Sequence, residues 1–200
     1  NRFYGVTPEG NFEHGRSILH IEQPLDAFAH LKGFEPGALT QRLAASRAAL
    51  FTARTSRPRP HRDDKILTSW NGLMIASLAY GASTLNEPRY LKAAEEAAGF
   101  VLTNLTRDGR LLRRYRDGDA RFSGTLEDYA FLSDGLLELY EASFNPHWLS
   151  HAKRLAGEMI ERFWDEDRGG LFLRGNDEEP LIVRSKEVYD GATPSGNSIA

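Results

Sequence analysis

Carboxyls, amides and aromatic rings recur at three points of this 200-residue sequence, in combinations suited to proton transfer or to holding a polyhydroxylated ligand. Asp63-Asp64 lies beside Lys65 and close to Arg59 and Arg62. Two adjacent carboxyls among cations can have their pKa values pushed apart, giving a general acid and a general base. The architectural alternative is that Asp64 caps the helix that follows while Asp63 pairs with a nearby arginine. Glu127-Asp128 is the second pair. Glu127 shares a helical stripe with Asp134, Glu138 and Glu141, the pattern of a solvated face. Asp128 falls on the side of Leu132, Gly135 and Leu139, where burial would raise its pKa toward that of a usable acid. Thr125-x-x-Asp128 also fits a capping box, which would tie Asp128 to the helix start.

Trp70 and Asn71 fall one turn into the first of these helices, and Tyr129 at the start of the second. Aromatic faces stack on sugar rings and an amide both donates to and accepts from hydroxyls, although buried aromatics serve equally as core. Asp190 and Asn197 flank Thr193-Pro194, which reads as an N-cap followed by a first helical residue. His61 precedes the first acidic pair and supplies an imidazole that could act as base. His147-x-x-x-His151 has metal-compatible spacing but no third ligand nearby, so surface histidines are expected and no metal. With neither a G-x-x-x-x-G-K nor a G-x-G-x-x-G loop, no cofactor is expected.

The elements that must position these residues repeat. Glu87-Pro88-Arg89-Tyr90-Leu91 with Ala94, Ala98 and Gly99 aligns with Asn145-Pro146-His147-Trp148-Leu149 with Ala152, Ala156 and Gly157. Each unit reads as an apolar helix, a turn opened by proline, and a one-sided helix. Helices are expected near 37–54, 66–85, 88–105, 126–143 and 147–164. After each one-sided helix comes a strand pair: Gly109–Arg116 turning at Asp117-Gly118 into Ala120-Arg121-Phe122, then Gly170–Arg174 returning as Leu181–Arg184. An earlier copy would be Phe3–Val6 with Ser17–Ile21. Alternating all-apolar and one-sided helices imply two concentric layers, an all-α architecture with short hairpins between helix pairs. Six such pairs would close a ring at about 350 residues, extrapolating the repeat.

Composition narrows the classes. Apolar residues at 40% and charged residues at 26% describe a globular core, and a net charge of −3 excludes a polycation that binds nucleic acid by charge alone. Arg107, Arg110, Arg113, Arg114, Arg116 and Arg121 crowd the first hairpin, but Asp108, Asp117 and Asp119 interrupt them, so no nucleic-acid partner is expected. The absence of cysteine excludes disulfides and thiolate chemistry. Residues 66–86 carry no charge, yet Thr68, Ser69, Asn71, Ser77, Ser83, Thr84 and Asn86 are too polar for lipid; a buried helix and no membrane partner are expected. With no leader sequence, the reading is of a cytoplasmic protein. Because the chain opens at Asn1 and stops where a helix begins, it reads as a fragment.

Three segments, Arg59–Met74, Leu126–Phe131 and Tyr189–Ser198, together with Tyr4-Gly5-Val6-Thr7 and Gly10-Asn11-Phe12-Glu13, resemble thioredoxin-domain-containing proteins of the spermatogenesis-associated protein 20 (YyaL-like) type. The run Asp63-Asp64-Lys65-Ile66-Leu67-Thr68-Ser69-Trp70-Asn71-Gly72 is the most specific part. The resemblance implies an (α/α)6 toroid similar to six-hairpin glycosidases and N-acylglucosamine 2-epimerases, preceded in the family by a thioredoxin-like domain. Residues 1–200 would then be an incomplete toroid of about three hairpins, without that domain. Its implied partners are the thioredoxin-like domain of the full-length chain and a small, sugar-like ligand. Asp64 and Asp128, with Asp63, Glu127 and His61, are the expected acid–base groups of a hydrolase or isomerase; Trp70, Asn71, Tyr129, Asp190 and Asn197 are the expected ligand contacts. The alternative is a non-catalytic scaffold, whose mark would be carboxylates consumed by caps and salt bridges. A cofactor-free epimerase using His61 as base is a third option.

Overall fold

The computed structural model describes residues 1–179 and 182–200. Its contacts divide the chain into two compact units, Asn1–Arg62 and Asp63–Ala200. The first holds helices α1 (Leu25–Lys32) and α2 (Pro36–Thr55). A small core of Phe28, Ala29 and Leu39 joins them, with Phe3 edge-on to Phe28 at 5.3 Å. α1 ends on Gly33 at φ 68°, a left-handed cap that glycine adopts without steric cost. Pro36 opens α2, where its missing N–H costs no hydrogen bond, and the Glu35 carboxylate accepts the Ala38 N–H.

The second unit begins with a two-residue strand β1 (Ile66–Leu67) and continues as α3 (Thr68–Leu85), α4 (Pro88–Asn104), β2 (Thr106–Arg107), β3 (Arg110–Arg116), β4 (Asp119–Ser123), α5 (Leu126–Ser143), α6 (Pro146–Phe163) and α7 (Gly196–Ile199). β3 pairs antiparallel with each of the other three strands. Asp117 and Gly118 both take positive φ in the β3–β4 turn, as the tight hairpin requires. α3 packs on α5, α4 lies behind α3, and α6 lies behind α5. This is the inner-and-outer arrangement of an (α/α)6 toroid.

Small residues set the closeness of the inner pair. A Cβ placed on Gly72 would lie 2.4 Å from the Phe131 carbonyl carbon, and one on Gly135 would lie 2.6 Å from the Gly72 oxygen. The helices therefore meet backbone to backbone. Around that crossing Ile75, Ala79, Ala98, Val101, Leu132, Leu136, Leu139, Leu155 and Phe163 form one continuous core. The repeat is real at the level of caps. Asn86 and Phe144, 58 positions apart, both end inner helices in the left-handed conformation, and the following Pro88 and Pro146 open the outer ones.

Three expectations are corrected. The first inner helix starts at Thr68, because Ile66 and Leu67 are drawn into the sheet opposite Tyr115 and Arg114. The second strand pair does not form a ladder among the described residues: Leu173 N–H donates to the Ser185 carbonyl, while Leu171 bridges to Trp164 instead, and Leu181 lies outside the described residues. The earliest pair is not a hairpin: Arg2–Tyr4 forms a 3-10 turn, and its link to the later segment is one bond, from His20 N–H to the Tyr4 carbonyl. Glycines and a proline among residues 5–15 supply turns instead of a continuous ladder. No helix among the described residues is long and apolar enough to cross a membrane.

Candidate functional site

The N-terminal ends of α3, α5 and α7 carry most of the residues singled out by the sequence, and the structure spends many of them on joining those ends. Asp128 is the clearest case. It is completely buried; one carboxyl oxygen accepts the Thr125 N–H at 2.8 Å and the Thr125 hydroxyl at 3.1 Å, closing a capping box. The other oxygen accepts the Ser69 N–H of α3 at 3.0 Å. One side chain thus satisfies orphan donors on two inner helices. Burial pushes its pKa above the ordinary carboxylate range, opposed by the Thr125 hydrogen bonds, the Arg113 charge and the Ser69 hydrogen bond. Thr68 ties the same corner to the sheet, donating to the Leu112 carbonyl at 2.6 Å.

Tyr129 is also core. Its ring is edge-on to Phe163 at 5.3 Å and its hydroxyl accepts the Leu111 N–H, so it presents no face to a ligand. Asn71 is half-buried and donates to the Leu67 carbonyl one turn back. Asn197 is fully engaged: its oxygen accepts the Leu171 N–H at 2.8 Å and its amide donates to the Leu171 and Glu187 carbonyls. Asp190 accepts the Ser195 N–H at 2.8 Å and the Ser198 hydroxyl at 2.7 Å, and these bonds hold its pKa below the usual range. These four were expected as ligand contacts. Each instead fills a polar requirement of a chain turn or packed core.

The first acidic pair stands apart from that network. Asp63 pairs with Lys65 at 3.1 Å, not with an arginine, and that contact lowers its pKa. Asp64 is exposed with an interaction of its own, and with α3 starting at Thr68 it does not cap the helix. Asp64 and Asp128 therefore differ in setting: one is at the surface, the other sealed. His61 is exposed at the end of the first unit.

Two of the expected residues remain open. Trp70 is 66% exposed on the first turn of α3, and Glu127 is half-buried on the first turn of α5 without a hydrogen bond or ion pair among the described residues. Further along the same helices a shallow groove is lined by Ala76, Ser77 and Tyr80 of α3 and by Asp134 and Glu138 of α5. Burial raises the pKa of Asp134, and burial together with the Glu141 and Asp134 charges raises that of Glu138. Asp134 and Glu138 are one turn apart, with Cβ atoms about 5–6 Å from each other. The sequence assigned this acidic stripe to a solvated face; the signal for more is Tyr80, whose apolar ring stands 66% exposed across the groove.

His147 and His151 stack edge-on at 4.6 Å on α6, and desolvation with the His147 and Arg154 charges lowers the His151 pKa. No group of three or more potential metal ligands occurs among the described residues.

No family model matches the chain. Among known proteins it is 34% identical to human spermatogenesis-associated protein 20 over 219 residues, and 34% identical to the mouse protein over 222. Both alignments cover all of this chain, which spans 28% of the length of those relatives. Among solved structures it is similar to a GH76 α-mannanase from Bacteroides thetaiotaomicron, at TM-score 0.52 and 18% identity, over 58% of this chain and 33% of that one. It is similar also to the cellobiose 2-epimerase of Spirochaeta thermophila, at TM-score 0.52 and 20% identity, over 65% and 33%. At such identities the likeness speaks for the fold. Over its whole length the chain is homologous to a stretch of spermatogenesis-associated protein 20, and its fold is that of the six-hairpin (α/α)6 proteins.

Proposed function

We propose that the inner face of α3 and α5 binds a small sugar or sugar derivative and acts on it by hydrolysis or isomerisation. One observation carries this: two carboxyl groups a turn apart, Asp134 and Glu138, both held protonated to higher pH than usual, open onto a groove beside the exposed ring of Tyr80. Tyr80 supplies an apolar face for a pyranose ring, and Ser77 with the carboxyls supplies hydrogen bonds to hydroxyls. A carboxyl whose pKa is raised by burial keeps its proton for donation to higher pH than usual, and its partner, once ionised, is the base. The names of the mannanase and the epimerase among the structural neighbours favour the sugar class. Asp128, an expected acid, serves in this reading as the brace that sets α3 against α5. Asp63 and Asp64, ahead of α3 in the same unit, stay candidates for acid–base groups, His61 stays a candidate base within the first unit, and a thioredoxin-like domain in the full-length chain stays the proposed partner.

A second reading has its own support. Asp128, Asp190 and Asn197 are consumed by caps and turns, as a non-catalytic scaffold requires. Melting the natural protein with a panel of mono- and disaccharides, mannose and cellobiose among them, separates the two. The sugar reading expects at least one ligand to raise Tm, and Glu138→Gln to abolish that rise while leaving the unliganded Tm near its original value. A panel with no shift, or a shift indifferent to Asp134→Asn and Glu138→Gln, leaves the scaffold.

A further inference from the structure

We infer that residues 51–62 form a binding site for a phosphorylated small molecule, one carrying two phosphoryl groups. The C-terminal turn of α2 and the segment after it curl around a recess lined by Phe51, Arg54, Arg57, Arg59 and Arg62, with Pro58 and Pro60 between the arginines. The Arg57 N–H donates to the Arg54 carbonyl at 3.0 Å, a 3-10-type bond that tightens the last turn of α2 where the arginine-rich segment begins. No carboxylate is among the lining residues. Arg62 has an interaction of its own; Arg54, Arg57 and Arg59 have no ion pair among the described residues.

Converging like charges repel. The negative end of the α2 dipole offsets part of that repulsion at Arg54 and Arg57 but reaches little beyond the last turn. The geometry is therefore short of anionic charge. A guanidinium presents a planar fork of N–H donors that matches phosphate oxygens two at a time. Two phosphoryl groups bring a charge of about −3 to −4 near neutral pH, which meets the three charges of Arg54, Arg57 and Arg59. Beside them Phe51 is 67% exposed, a flat apolar surface on which an organic ring attached to the phosphates can lie. Arginine, and not lysine, at all four positions suits recognition of this shape as well as of its charge. The recess lies wholly within the first unit, so it is independent of the sugar-directed groove and of the reading built on it.

The test titrates the natural full-length protein with inorganic pyrophosphate by calorimetry, at low salt and again at 0.5 M NaCl. The expected result is saturable binding that weakens with salt, because the contacts are charged and partly exposed. Arg57→Gln with Arg59→Gln should weaken it by at least about tenfold, since each charged hydrogen bond is worth that much or more. Sodium sulfate at matched ionic strength should bind distinctly more weakly. No saturable binding to the unaltered protein overturns the inference. So does binding unchanged in the double variant, or sulfate equal to pyrophosphate, which reduces the effect to screening. Capture of a single-stranded oligonucleotide in place of pyrophosphate also overturns it and makes the patch a polynucleotide face.

Discussion

Replacing Asp128 by Asn separates a brace from a catalyst. The native carboxyl has both oxygens in use, one toward Thr125 and one toward Ser69. An asparagine keeps a single acceptor oxygen. Its NH2 group must then face a backbone N–H, either of Thr125 or of Ser69, and one buried donor is left unpaired. Losing a hydrogen bond to a charged acceptor costs about 1.5–3 kcal/mol, and the orphaned donor adds to it. Against this, Asn removes the desolvation that already pushes the Asp128 pKa upward. The net expectation is a loss of about 2 kcal/mol, or roughly 4–8 °C in Tm for a chain of this size. Urea unfolding followed by circular dichroism gives the first number and a melt the second. Thr125→Val, which removes the hydroxyl partner, should cost less on its own and be non-additive with Asp128→Asn, because both act on one network. A variant within about 0.5 kcal/mol of the parent, the usual scatter of surface substitutions, would refute the bracing role. So would a variant of normal stability that has lost a sugar-dependent response.

Three further outcomes follow from the packing and the titrating groups. Gly135→Ala should force α3 and α5 apart and destabilise by about 1–3 kcal/mol, read by urea unfolding, because its Cβ would lie 2.6 Å from the Gly72 oxygen. Asn197→Ala should cost about 1–3 kcal/mol in the same assay, since it strands the Leu171 N–H and carbonyl, and Asn197→Asp should not restore it because a carboxylate cannot donate. Asp190 has a lowered pKa in the folded state, so its contribution is present above the unfolded value and disappears as pH falls through the folded one. Stability measured from pH 6 down to pH 2 should fall less steeply in Asp190→Asn than in the parent, and equal slopes would remove Asp190 from the account.

Much of the fold is written locally. Prolines at 88 and 146, the Asp117-Gly118 turn and the 58-residue repeat mark elements whose ends fall within about two residues of their expected places. α1 is eight residues long, too short for its periodicity to stand out, and it is held by Phe3 from outside the helix. The site was legible in outline only. Thr125 and Asp128 announce a capping box, but nothing local announces that the second carboxyl oxygen reaches Ser69, 59 positions away. Tyr129 reads equally as a stacking face or as core until Phe163 and the Leu111 N–H are placed around it. Asp134 and Glu138 read as a solvated stripe because Ser77 and Tyr80, which turn that stripe into a groove, belong to another helix. Side chains whose role is set by a neighbour distant in sequence are the ones local pattern misreads.

If sugar binds in the α3–α5 groove, it meets the carboxyls of Asp134 and Glu138 and not that of Asp128. Carboxyl-carbon NMR titration of the natural protein, with and without the sugar that raises Tm most, tests it directly. The account predicts that Asp134 and Glu138 titrate above the ordinary carboxylate range and move when sugar is added, while the Asp128 resonance does not respond. Ordinary titration at Asp134 and Glu138, or a sugar response confined to Asp128, would contradict it.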